Sequence, residues 1–267
     1  MRHISAALLS LIICCAPSPS WSGAWTLDRG RTQIISGVTL SRASKNFDGA
    51  GKPSQDVRFD KTFSETYFEY GLTDDVTLFG APEYVSAQSQ FGSGPTASAH
   101  SFAAEAGVRI LLLAHIGMLS IQGSEKSAGL YDMYCVGSTY TKEPSGRRTE
   151  LRLLYGTSFK FMGRDGFIDL QAAERWINRP RPDEAVLDAT AGFRLWPGTL
   201  VMVQSFNTQS AGGGDQSYAA YRQHKIEVSV VQRITKRWSL QIGGFASPVG
   251  QNVVAEQGIV VSIWDRF

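Results

Sequence analysis

Apolar and polar residues alternate along much of this chain. In 187–195, Leu187, Ala189, Ala191, Phe193 and Leu195 share one face, and Asp188, Thr190 and Arg194 share the other. In 225–234, Ile226, Val228, Val230 and Ile234 oppose Lys225, Glu227, Ser229 and Arg233. In 102–112, Phe102, Ala104, Ala106, Val108, Ile110 and Leu112 oppose Glu105 and Arg109. In 168–176, Ile168, Leu170, Ala172 and Trp176 oppose Asp169, Gln171 and Arg175, with Glu174 interrupting the apolar face. The last ten residues repeat the pattern, with Ile259, Val261, Ile263 and Phe267 on one face and Ser262 and Arg266 on the other. A period of two belongs to β-strands. It suits a soluble sheet with one wet face, or a barrel wall in lipid.

The punctuation between these runs favours the barrel. Tight breaks fall at 73–75, 114–115, 163–166, 196–198 and 235–237. Longer polar connections fall at about 44–57, 91–98, 125–147, 179–184, 211–217 and 248–255. The two kinds alternate, as short periplasmic turns and longer extracellular loops do in outer-membrane barrels. The expected fold is therefore all-β, a transmembrane antiparallel β-barrel of about twelve strands with both termini in the periplasm. Fourteen strands stay open, because 131–141 has the makings of strands of its own. Aromatic residues form two bands on this map. Phe161, Phe167, Trp196, Trp238, Trp264 and Phe267 lie towards the short turns, and Tyr84, Phe91, Trp176, Phe206 and Tyr221 towards the loops. Val228 is placed in the lipid belt and Ser229 in the lumen, so arginine is expected to be better tolerated at 229 than at 228.

The N-terminus adds a compartment. Arg2 and His3 precede an apolar run from Ile4 to Ala16, and Ser22-Gly23-Ala24 offers small residues before Trp25. That is the layout of a secretory signal peptide, too short for a spanning helix. The expected organisation is a signal peptide over 1–24 and one outer-membrane barrel domain over 25–267. Cys14 and Cys15 leave with the leader, so the one remaining cysteine, Cys135, can form neither an intramolecular disulfide nor a cysteine metal site. The formal net charge of +2 falls to +1 with the loss of Arg2, which gives no argument for nucleic-acid binding. Mean hydropathy is −0.13, and the longest apolar candidate, 107–119, contains Arg109 and His115, so spanning helices are not expected.

The final strand, ending on Phe267, resembles the C-terminal assembly signature of Gram-negative outer-membrane proteins. Asp265 departs from it, standing where a second aromatic or apolar residue is usual. The segment 65–78, ETYFEYGLTDDVTL, together with Gly23-Ala24-Trp25-Thr26 and 233–243, RITKRWSLQIG, resembles a proteobacterial outer-membrane barrel family that carries a transporter label and includes phenol meta-pathway-type and XagA-like proteins. The resemblance spans most of the mature chain. It implies a barrel and a loose transport role, with no catalytic residue and no defined substrate.

Candidate chemistry is concentrated in the inward-facing charges. Glu105, Arg109, Asp169, Arg175, Asp188, Arg194, Glu227 and Arg233 all take the inward parity, as do Lys61, Glu65, Glu69, Glu150, Arg152 and Lys225. Arg or Lys at the lipid midplane would cost about 2–4 kcal/mol, so this placement is forced. The eight either form an ion-pair network that narrows or closes the pore, the favoured reading at about twelve strands, or line a hydrated channel; on the first reading, removal of Arg194 is expected to loosen the closure. No serine lies in a nucleophile motif with His100, His115 or His224, so no enzyme is expected; no metal site and no cofactor are expected either. The reading is of an outer-membrane protein acting as a narrow passive channel for a small solute, apolar on the resemblance. The alternative is a non-conducting structural or assembly barrel that supports envelope or exopolysaccharide export. The expected partners are outer-membrane lipid, the barrel-assembly machinery acting on Phe267, and an unidentified small solute.

Overall fold

The computed structural model describes residues 23–94, 96–127, 147–178, 182–212 and 219–267, together with the backbone of 133–136 and 139–142. Its strands are β1 (Thr32–Phe47), β2 (Pro53–Gly71), β3 (Val76–Phe91), β4 (Ala97–Leu113), β5 (Met118–Ser127), β6 (Met133–Val136), β7 (Thr139–Lys142) and β8 (Arg148–Phe161). They continue with β9 (Arg164–Ile177), β10 (Glu184–Trp196), β11 (Thr199–Ser210), β12 (Tyr221–Arg233), β13 (Trp238–Gln251), β14 (Val253–Val254) and β15 (Gln257–Arg266).

Twelve of these form a closed antiparallel barrel. Each wall strand pairs with its neighbours in sequence, β5 pairs directly with β8, and β15 pairs with both β13 and β1 to close the ring. Closure leaves the wall without a free sheet edge, so its backbone groups pair strand to strand, which is the condition for crossing hydrocarbon with strands. The last bonds of the seam join the chain ends: Thr32 N donates to Phe267 O at 2.7 Å and Phe267 N to Thr32 O at 3.0 Å. The fourteen-strand option falls because of where 131–141 goes. β6 and β7 form a hairpin whose β6 pairs with the loop-side end of β4, at 97–100, and neither strand enters the wall. With only four residues each, they are too short to span.

The connections match the expected alternation, with short turns at 72–75, 114–117, 162–163, 197–198 and 234–237 on one rim and the longer loops on the other. Outward positions carry Leu187, Ile168, Leu170, Ile226, Val228, Val230, Ile259, Val261 and Ile263, all well exposed, and this apolar exterior is a lipid-facing belt. Trp196, Trp238, Phe161 and Phe267 are exposed at the turn rim, and Tyr84, Phe91 and Trp176 at the loop rim. Tyr84 also holds His100 on the same outer surface, with Oη and Nδ1 3.1 Å apart. Two members of the turn-side band are corrected. Phe167 and Trp264 are buried and point inward. Phe206 of the loop-side band also lines the interior.

Asp265 takes the outward parity yet is buried, because Arg237 of the neighbouring turn covers it. Arg237 Nη2 donates to Asp265 Oδ2 at 2.6 Å, and the guanidinium lies over the Phe267 ring, 4.3 Å from its centroid. The charge at 265 is thus matched locally, and the same guanidinium covers one face of the Phe267 ring. Ser229 does face inward but is only 1% exposed, and Gln241 donates to its hydroxyl at 3.1 Å. Arginine at 229 would overpack this contact, so the expected tolerance there is not what the packing favours.

Candidate functional site

The lumen holds the chemistry, and a segment outside the strands organises it. Residues 23–31 precede β1 at the turn rim and fold back into the barrel. Arg29 N donates to Asp74 Oδ1 at 2.9 Å and Thr26 Oγ1 to Asp74 O at 2.7 Å, which bends the segment over the 72–75 turn. Leu27 N then donates to Thr77 Oγ1 at 2.8 Å, and Ser120 Oγ donates to Ala24 O at 2.5 Å. Ala24 N reaches Asp169 Oδ2 at 2.7 Å. Trp25 packs against Phe167 edge-on, with ring centroids 5.8 Å apart, within a cluster completed by Leu200, Met202, Val231 and Trp264. The wall is shaped for it: a Cβ on Gly156 would lie 2.7 Å from the Trp25 ring. The segment plugs the turn-side half of the barrel, and its indole packs in one cluster with Phe167 and Trp264, which strand alternation turns inward.

Above the plug lies a cavity of 410 Å³ whose lining includes Glu65, Glu105, Arg152, Arg175, Asp188 and Phe206. Arg109 forms the floor. Its Nη1 donates to Glu69 Oε1 at 2.8 Å and to Trp25 O at 3.1 Å; Nε and Nη2 donate to Gln122 Oε1 at 3.1 and 3.0 Å; Nη2 also donates to Tyr67 Oη at 3.1 Å. Tyr67 Oη donates in turn to Glu69 Oε1 at 2.8 Å. One guanidinium thus ties β4 to β2, β5 and the plug.

A second group crosses β8, β9 and β10 nearer the loops. Glu150 accepts from Arg152 Nε at 2.7 Å and from Arg175 Nε at 2.5 Å. Arg152 Nη1 also donates to Asp188 Oδ2 at 2.9 Å, and Arg175 Nη1 to Glu184 Oε2 at 3.2 Å. Beside them, Arg148 Nη2 donates to Glu105 Oε2 at 2.6 Å and Ser124 Oγ to Glu105 Oε1 at 2.6 Å. At the loop end, Glu256 accepts from Lys225 at 2.6 Å, from Ser41 Oγ at 2.6 Å and from Lys61.

The eight residues expected from parity therefore divide. Arg109, Glu105, Arg175 and Asp188 take part in ion pairs, but with Glu69, Arg148, Glu150 and Arg152 as partners. Asp169 meets the plug, and Gln241 approaches Glu227 at 3.4 Å. Arg194 and Arg233 lie at the turn rim, and Arg233 is exposed. Six residues separate Arg194 from Asp188, about 20 Å along a strand, so the two cannot pair. Parity fixes the side of the wall, while depth selects the partner. Reasoning from strands alone also missed Glu256, which lies in a connection, and the plug, which lies before β1. A signal for the plug was present: the apolar pair Trp25 and Leu27 stands outside any strand, followed by the polar stretch 28–31.

Comparison with solved structures places the chain among outer-membrane barrels by fold. It is similar to an outer membrane channel from Pseudomonas putida F1, with a TM-score of 0.72 and 13% identity over 94% of this chain and 100% of that one. It is also similar to the translocator domain of the autotransporter NalP from Neisseria meningitidis, with a TM-score of 0.58 and 10% identity over 90% of each chain. The beta domain of the Bordetella autotransporter BrkA gives a TM-score of 0.56 and 11% identity over 90% of this chain and 100% of that one. No family model and no curated protein matches the sequence.

Proposed function

We propose that the protein resides in the outer membrane of a Gram-negative cell and acts as a narrow passive channel for a small polar solute, with residues 23–27 as its plug. The observation that carries this reading is the 410 Å³ cavity lined by carboxylates and guanidiniums and floored by a segment that lies outside the barrel wall. A lining that presents both signs within a few ångströms suits a polar or zwitterionic solute better than an apolar one. The likeness in fold to the Pseudomonas channel supports the channel class. The lipid belt and the seam at Phe267 support lipid and the barrel-assembly machinery as partners.

The density of paired charges favours a second reading. A lumen held shut by Arg109, Arg152, Arg175 and the plug is what a non-conducting structural barrel would also have. Swelling of liposomes carrying the purified protein separates the two. Entry of small polar solutes that falls off sharply with size supports the channel. No entry at any size, from the wild type or from a chain without residues 23–27, supports the structural role.

A further inference from the structure

Asp169 is 2% exposed, and among the described residues no lysine or arginine reaches it within ion-pair distance. Its hydrogen bonds come from Ala24 N at 2.7 Å and Gln171 Nε2 at 2.6 Å, both neutral donors. The nearest guanidiniums, Arg109 and Arg152, are each engaged with other carboxylates, Arg109 with Glu69 and Arg152 with Glu150 and Asp188. A buried carboxylate in such a place calls for a cation. What lies against it is the plug. A Cβ built on Gly23 would stand 2.5 Å from Asp169 Oδ2, so the backbone of Gly23 runs directly over the carboxylate and only glycine fits there without displacing it.

We infer that the leader is removed after Ser22, and that the α-ammonium left on Gly23 is the cation that pairs with Asp169 inside the barrel. Ser20-Trp21-Ser22 supplies the small-x-small pattern that leader peptidases accept, as does Ser22-Gly23-Ala24, so the sequence permits either boundary. Packing decides between them. Cleavage after Ala24 would remove the amide that donates to Asp169, leaving that buried carboxylate with Gln171 alone, and the carbonyl that accepts from the fully buried Ser120 hydroxyl. Cleavage after Ser22 keeps both contacts. The step is a hydrolysis: the bond between the Ser22 carbonyl carbon and Gly23 nitrogen breaks, and water supplies OH to Ser22 and hydrogen to the nitrogen. The amine then takes a proton from solvent. As a terminal group, that nitrogen is free to swing about the Gly23 Cα–C bond onto the carboxylate beneath it. Processing would thus add a charge to a plug that already seats through neutral contacts, since the leader-bearing chain offers Asp169 only amides at Gly23 and Ala24. This inference stands whether or not the barrel conducts.

The test uses protein isolated from outer membranes. Mass spectrometry of its N-terminal peptide is expected to show a chain beginning at Gly23; a start at Trp25 or at Met1 overturns the proposal. The folded protein is then treated with an amine-acylating reagent, and the N-terminal peptide is quantified. Labelling of the Gly23 amine is expected to be at least about tenfold slower in the folded barrel than after boiling, since the group is reached only when the plug opens. Asp169→Asn is expected to abolish most of that protection, and equal labelling of folded and boiled wild type, or full protection in Asp169→Asn, overturns the ion pair. Should Asp169→Asn fail to fold, chains beginning at Gly23 and at Trp25 are refolded in detergent. The Gly23 chain is expected to unfold at higher urea, and an equal or lower midpoint contradicts the inference.

Discussion

Replacing Arg109 by methionine tests the lumen's largest single knot. Arg109 is 2% exposed and Glu69 1%, so the pair is removed from water. Methionine fills much of the same volume but leaves the Glu69 carboxylate with the Tyr67 hydroxyl as its one remaining donor of the two. Deleting one partner of a buried pair costs about 3–5 kcal/mol, chiefly because the other charge stays buried. The lost donation to Trp25 O adds about 1 kcal/mol and falls on the plug. Removing the stranded charge as well, with Glu69→Gln, should recover much of this, since a buried pair replaced by neutral groups of similar size is often close to neutral. The double variant is thus expected within about 1–2 kcal/mol of wild type, giving a coupling energy of at least about 2 kcal/mol in the cycle. The assay is urea unfolding in detergent micelles, followed by the folded-band shift on gels. A loss below about 1 kcal/mol for Arg109→Met, or a double variant no better than the single, would refute a desolvated pair and imply a lumen filled with water.

Trp25→Ala removes the plug's apolar anchor at a local cost of about 3–5 kcal/mol, and single-channel recordings should show open events at least about a hundredfold more frequent, with a lower unfolding midpoint in urea. Val228→Arg places a charge on a lipid-facing site 51% exposed, and should cost about 2–4 kcal/mol in lipid, whereas arginine at Thr190, which lines the cavity, should cost less; the reverse ranking by refolding yield would mean a register shifted by one residue. Deleting Phe267 removes both seam bonds to Thr32 and the ring under Arg237, so the yield of heat-modifiable barrel in cells should fall severalfold while export across the inner membrane is unchanged.

Much of the wall was legible in the sequence because period and punctuation are local properties. Val228 against Ser229, and Ile263 against Trp264, are assigned to faces by parity alone, and the short turn at 235–237 is visible in its residues. The lumen was less legible because pairing there depends on depth across a tilted, staggered sheet. Arg109 finds Glu69 two strands away, a match that no spacing in the chain encodes. Arg194 and Arg233 have the right face at the wrong height. Phe167 and Trp264 stand at girdle height, but their parity turns them inward, where an indole from outside the strand pattern packs beside them. Asp265 looks like a defect in the C-terminal strand until Arg237 arrives from the next turn. In each case the missing information is which separate element fills a given volume, and that is fixed only when the ring closes.

The central claim is that residues 23–27 close a lumen that would otherwise conduct. The most direct measurement is the current through planar bilayers carrying either the wild type or a chain with residues 23–27 deleted. Low, infrequent current is expected from the wild type and a stable, larger conductance from the deletion. A wild type that is already wide and open, or a deletion whose current equals that of the wild type, would contradict it.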